Sequence, residues 1–238
     1  MSLIKSKDVV AESPQDGLDV QSILNSSNGS QTITLVKETL HTNSQIPVQR
    51  HKVETALYVD TGAGFIEVVG EQRYRVEAEA CVLVPANTWY SIENDGDNDL
   101  KYIRIHPAID VTTEIRGEEK PYTTVFRAKH MEPKEILPGV FMIRTIEHAN
   151  GSPMVTMGQV TIQPGHEVPP HVHPTDDAMV IISGKGEVYS EGDNIPIEAG
   201  DHLWAPANER HGVKNVGKEP LVIVYTWPAV NVSRVIMD

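Results

Sequence analysis

Most of this chain is written twice. Displaced by 122 residues, Lys7 falls on Lys129, Gly17 on Gly139, and Asn28-Gly29-Ser30 on Asn150-Gly151-Ser152. Thr34, Thr39 and Pro47 meet Thr156, Thr161 and Pro169, and His51 meets His173. Gly62-Ala63-Gly64 meets Gly184-Lys185-Gly186, and Gly70 meets Gly192. The second copy then loses one residue in the turn after Gly192, and the register resumes at 121. Glu77-Ala78 meets Glu198-Ala199, Pro85-Ala86-Asn87 meets Pro206-Ala207-Asn208, Asn94 meets Asn215, and Pro107-Ala108 meets Pro228-Ala229. So many matches with one short gap require two similar units in tandem. The expected units are 1–112 and 125–238, joined by a charged, Pro-containing linker over 113–124. Each has the length of a small domain.

The local signals are those of strands. Val20–Leu24 with Thr32–Val36, and Val140–Ile146 with Met154–Ile162, are rich in β-branched and aliphatic residues. Asn28-Gly29 and Asn150-Gly151 between them read as hairpin turns. The Gly-x-Gly pairs and Glu191-Gly192-Asp193-Asn194 read as further turns. Short strands every 8–12 residues indicate an all-β sandwich or barrel. Only the last few residues hint at a helical period.

The chemistry concentrates in the second copy. In Gly165-His166-Glu167-Val168-Pro169-Pro170-His171-Val172-His173, two histidines stand two apart. Residues i and i+2 of a strand share a face, so His171 and His173 point the same way. Asp177 is expected to join them further along the same strand. A third imidazole, His211, lies in Pro206-Ala207-Asn208-Glu209-Arg210-His211. Imidazole with carboxylate suits one divalent first-row metal: iron, manganese, nickel, copper or zinc.

The two segments resemble the paired signature of the cupin superfamily. Gly165, His171, His173 and Gly184 fit its first motif, with Asp177 where glutamate is usual. Gly200, Pro206, His211 and Asn215 fit its second, with Asn208 replacing the middle glycine. The resemblance implies two tandem antiparallel jelly-roll barrels in one chain, a bicupin, with the metal held by His171, His173, Asp177 and His211. Aspartate is one methylene shorter than glutamate. A three-histidine site with water, or Asp176 in place of Asp177, therefore stays open, although Asp176 suits a solvated turn better. Laid over these positions, the first copy offers Gln49, His51, Thr55 and Tyr90, with Glu54 over Asp176. That is a poor cage, and this barrel is expected to hold no metal.

Around the site, Met179 and Ile181 share the strand face of Asp177 and make an apolar wall. Gln159, on the preceding strand, is a candidate substrate contact. Trp204, Tyr225 and Trp227 read as core, His166 and His202 as ordinary surface or core histidines, and Arg210 as facing solvent. Cys81 reads as a buried strand residue rather than a nucleophile.

Composition excludes several functions. The formal charge of −13 with a pI near 5.2 leaves no basic face for nucleic acid or an anionic membrane. The single cysteine permits no internal disulfide and fits a reducing cytoplasm. The N-terminus has no apolar leader, and no apolar run is long enough to span a bilayer. Phosphate loops, nucleophile elbows and Cys-x-x-Cys pairs are missing from the sequence. The expectation is a metal-dependent enzyme acting on a small organic molecule, a dioxygenase similar in form to quercetinase-like bicupins. The alternatives are a non-catalytic binding protein and a redox-neutral lyase or isomerase. The resemblance also implies a homodimer, which would close an exposed sheet edge.

Overall fold

The computed structural model describes residues 1–108, 113–115, 124–190 and 192–236. Two compact units form, Val9–Lys129 and Met1–Asp8 with His130–Asp238. Among the described residues each holds one seven-stranded and one five-stranded sheet, antiparallel at every pairing. In the second unit the larger sheet runs Ser2–Lys5, Asp201–Ala205, Asp177–Ser183, Leu221–Trp227, Thr156–Ile162, Val140–Ile146, Lys134–Leu137. Its smaller sheet runs Asp193–Glu198, Lys185–Ser190, His211–Asn215, Glu167–Val172, Val235–Ile236. The first unit repeats both orders with the duplicated strands. Alternating apolar side chains from both sheets fill each interior. Met179, Ile181, Leu203, Val213 and Ile223 are among those in the second unit, and each such side chain contributes about 1.5–3 kcal/mol on burial.

The boundaries differ from the expectation at both joints. Ser2–Lys5 and Thr124–Arg127 are the same strand of the repeat, 122 residues apart. Ser2–Lys5 pairs with Asp201–Ala205 of the second copy, and Thr124–Arg127 with Ala80–Val84 of the first. Each copy thus lends its first strand to the other copy's sheet. Thr113–Ile115, expected as linker, pairs with Ser44–His51. Residues 109–112 and 116–123 lie outside the described residues.

Asn28-Gly29 and Asn150-Gly151 do not make two-residue hairpins. Each closes a three-residue 3₁₀ turn in a longer connection, with Gly29 and Gly151 at φ 100° and 112°. The asparagine side chain turns back to accept from Asn25 N or Glu147 N and to donate to Ile23 O or Thr145 O. The dipeptide marks the turn correctly, but these side-chain bonds support a wider loop. The C-terminal residues form the short strand Val235–Ile236 rather than a helix, and pair with His171 and Val172. Among the described residues no helix is long and apolar enough to cross a membrane.

Candidate metal centre

His171 is the penultimate residue of the strand Glu167–Val172 and lies directly opposite His211, the first residue of His211–Asn215. His173 follows one residue past the strand. Asp177 does not continue that strand. After Pro174 the chain crosses to the other sheet, and Asp177 opens Asp177–Ser183 there. The four side chains therefore converge from both walls of the barrel. The turn that brings in His211 passes through Asn208 at φ 65°. Asparagine tolerates this left-handed conformation, which explains its presence in the family's glycine position. Asn208 N donates to His173 O at 2.7 Å, hooking the second motif to the first.

Each imidazole is held by its Nδ1. His171 Nδ1 lies 2.8 Å from Pro169 O, His173 Nδ1 2.9 Å from Ser233 O, and His211 Nδ1 2.9 Å from Glu209 O. A carbonyl only accepts, so Nδ1 carries the proton and Nε2 presents a lone pair. The three Nε2 lone pairs face one interior point. Those of His171 and His173 are 3.1 Å apart, and ligand nitrogens from all three rings lie within 4.8 Å of one another. Asp177 Oδ2 stands 3.7 Å from His173 Nε2 and 3.5 Å from His211 Nε2. His211 Nε2 and Asp177 Oδ1 are buried with no hydrogen-bond partner. Lone pairs and a carboxylate crowded together in this way favour a cation between them. Ligand nitrogens at right angles and about 2.1 Å from one ion stand about 3 Å apart, as those of His171 and His173 do. The donor set fits one divalent transition metal, with the backbone carbonyls setting tautomer and ring orientation.

Burial lowers the His171 imidazole to about 4, and also lowers that of His173. Burial would raise the Asp177 carboxyl, yet the adjoining His211 and His173 rings hold it below its ordinary value. These shifts favour neutral rings at His171 and His173 and an ionised Asp177, the protonation states that bind metal. Asp176 is not a solvated turn residue. It is buried and accepts from Ala207 N at 3.0 Å and Trp204 Nε1 at 3.4 Å, so it braces the second motif and faces away from the imidazoles.

A cavity of about 300 Å³ opens on the cluster. Met179 lines it, while Ile181 on the same face lies deeper, in the packed core. Gln159 does not line it. The register turns Gly158 and Val160 inward, and strand alternation sends Gln159 to the other face. A Cβ on Gly158 would meet the Tyr225 hydroxyl at 2.6 Å, so the glycine makes room for that ring. Tyr225 and Trp227 are core residues and also form cavity wall. Burial raises the Tyr225 phenol, which stays protonated. His202 is a core histidine with Ser6 Oγ 2.8 Å from its Nε2, and His166 is exposed. Arg210 turns to Tyr189, outside the cavity, and is only half-buried. Two charged lining residues escape the sequence reading, Arg144 and Arg234. Arg144 shares the inward parity of Val140 and Met142, a charged residue at a core-facing position, and that signal was available.

A Cupin domain profile matches residues 36–106 and again 158–227, together more than half the chain. The chain belongs to the cupin family. This cupin is 28% identical over 108 residues to polyketide synthase CurC of Streptomyces cyaneus, across 45% of this chain and 70% of that one. It is 29% identical over 157 residues to oxalate decarboxylase OxdC of Bacillus subtilis, across 63% of this chain and 39% of that one. A structure of oxalate decarboxylase from Bacillus subtilis at pH 4.6 superposes with a TM-score of 0.80 at 18% identity, covering 99% of this cupin and 78% of that chain. A second, of its substrate binding mode, reaches 0.82 with coverages of 99% and 79%. At that identity the likeness establishes the two-barrel fold.

Proposed function

We propose that the C-terminal barrel is the active site of a metal-dependent enzyme acting on a small, partly apolar organic molecule. His171, His173 and His211 are its metal ligands, with Asp177 the fourth. The observation that carries the proposal is the convergence of three Nε2 lone pairs whose Nδ1 partners are all backbone carbonyls. The bound metal would supply Lewis acidity and an open position for a second reactant. The chain's own residues do the rest. Met142, Val160, Met179 and Ile223 exclude water and seat an apolar body. Arg144 and Arg234 favour an anionic group. Tyr225 Oη is buried without a hydrogen-bond partner and can donate to a substrate oxygen.

Dioxygenation is the reaction proposed first, because the wall is mainly apolar rather than lined with the polar groups a sugar would need. A redox-neutral lyase is the second reading. It is supported by the two arginines and by the decarboxylase named among the relatives. Oxygen uptake separates them. Apo-protein loaded with Fe(II), Mn(II) or Ni(II) is given phenolics, diketones and small carboxylic acids. Consumption that vanishes in His173→Ala supports the dioxygenase, and turnover under nitrogen supports the lyase. Binding without turnover for every metal rejects both. A homodimer belongs to the same proposal, and light scattering near the 26.3 kDa of one chain would reject it.

A further inference from the structure

The first barrel places different side chains at the same positions. Gln49 stands for His171, Thr55 for Asp177 and Tyr90 for His211, while His51 is kept. Gln49 faces Tyr90 across the strands as His171 faces His211. At these four positions one imidazole joins an amide and two hydroxyls, a set that does not fit a transition metal; the neighbouring His106, its ring centre 4.4 Å from that of His51, replaces Trp227 rather than a ligand. Beside His106, two exchanges bring in opposite charges and go beyond losing ligands. Arg104 replaces Tyr225 and Glu38 replaces Val160.

Arg104 reaches the place where the ligands would have met. Its Nη1 lies 3.2 Å from His51 Nε2, the counterpart of His173 Nε2. Its Nη2 pairs with the Glu38 carboxylate, which is 1% exposed. A guanidinium stays protonated and can only donate. His51 Nε2 must therefore accept, which leaves the ring proton on Nδ1, facing Thr55 Oγ1 at 3.2 Å and Tyr90 Oη at 3.4 Å. The ring thus keeps the tautomer that a metal ligand needs and gives its lone pair to an arginine.

We infer that the Arg104 guanidinium occupies the metal position of the N-terminal barrel, as a cation built into the chain with Glu38 as its counter-charge. Access is not what keeps metal out. A cavity of about 340 Å³ opens on Glu38, Gln49 and Arg104. A divalent ion arriving there would find the lone pair already used and a positive charge within a few ångströms, where repulsion is strong at low effective dielectric. The replaced ligands and the inserted pair make one coordinated exchange of a bound ion for a covalently attached one.

The test is a graft in the full chain carrying His173→Ala and His211→Ala, so that the C-terminal barrel contributes no metal. Bound manganese is counted after loading with Mn(II) and dialysis. Gln49→His, Thr55→Asp and Tyr90→His, with Arg104 kept, should still bind no manganese. Adding Arg104→Tyr and Glu38→Val should raise the content to one per chain. Equal binding with and without Arg104 would overturn the inference, as would a graft that keeps its circular dichroism and melting transition yet binds none. A second measurement needs no variant. Nitrogen-15 shifts of His51 in the native chain should report a neutral ring protonated on Nδ1, and a ring protonated on Nε2 would overturn the inference equally, since it could not accept from Arg104.

Discussion

The two barrels share a frame and differ in what faces inward. Asn94 donates to Leu40 O and Asn98 O in the first, and Asn215 to Ile162 O and Glu219 O in the second. Asn87 N reaches His51 O, and Asn208 N reaches His173 O, both at 2.7 Å. These buried bonds fix the loops whatever lies inside, because an unpaired amide or carbonyl there would cost more than the bond itself supplies. Six inward positions then separate the two chemistries. Gln49, Thr55, Tyr90, Glu38, Arg104 and His106 stand in one barrel, and His171, Asp177, His211, Val160, Tyr225 and Trp227 in the other. Fold and site are held by different residues, so one copy can lose its metal without losing its barrel.

The comparison breaks most sharply at the imidazoles. His211→Ala should take bound metal from one per chain to near zero and remove several kcal/mol of transition-state stabilisation, while His51→Gln should leave metal content unchanged. Elemental analysis beside an activity assay reads both. Next in size is the buried pair. Glu38→Ala strands the Arg104 charge and should cost the first barrel about 3–5 kcal/mol. Its counterpart Val160→Ala loses only apolar contact, about 1–2 kcal/mol. Denaturant curves distinguish them, because Trp89 reports the first barrel and Trp204 and Trp227 the second.

Acid should also separate the two. Burial, with the Arg104 charge, lowers His51 to about 3 and His106 to about 2. As pH falls below about 6.5, the unfolded chain takes up those protons first. The stability is therefore complete above that value and drains toward the folded values, at about 1.4 kcal/mol per pH unit for each ring. Unfolding followed at Trp89 between pH 7 and 4 should show this slope whatever the metal concentration, and His106→Phe should roughly halve it. The second barrel should respond to added metal, since an ion that binds only the folded form stabilises it by mass action.

How much of this was legible depended on whether a signal was local. The duplication, the short strands and the shared face of His171 and His173 follow from spacing, because glycines, prolines and histidines at fixed intervals report turns and faces directly, whereas the two jelly-roll barrels and the joining of His211 to that pair are what the cupin resemblance implies. Asp177 was placed near its neighbours for the wrong reason, as a strand neighbour, because nothing in Pro174-Thr175-Asp176 announces a change of sheet. Gln159 reads as a substrate contact from its place on the preceding strand, and the structure turns it to the face away from the cavity. Strand parity there depends on a bulge-free register with Leu221–Trp227 that one strand read alone does not reveal. The exchange of first strands, Ser2–Lys5 for Thr124–Arg127, is a long-range pairing choice between edges that are equivalent in the repeat, and no local pattern encodes it. Arg104 was passed over because its position is defined by its counterpart Tyr225, which read as core.

The smallest expected effect concerns Arg144, whose counterpart in the first barrel is Ser22. Its guanidinium lies 5.9 Å from the centre of the Trp227 ring and pairs with Glu147 at 3.6 Å. The side chain is 42% exposed, so solvent screens it and its pull on a substrate is modest. If it positions a carboxylate, Arg144→Met should raise KM about five- to tenfold with kcat nearly unchanged, the pattern of lost uniform binding. Added salt should weaken native binding and affect the variant less. Arg210→Ala, outside the cavity at Tyr189, should alter neither constant. Equal KM values for native and Arg144→Met protein with a carboxylate substrate would assign Arg144 to the barrel rim and leave Arg234, half-buried and lowered by desolvation, as the anion's partner.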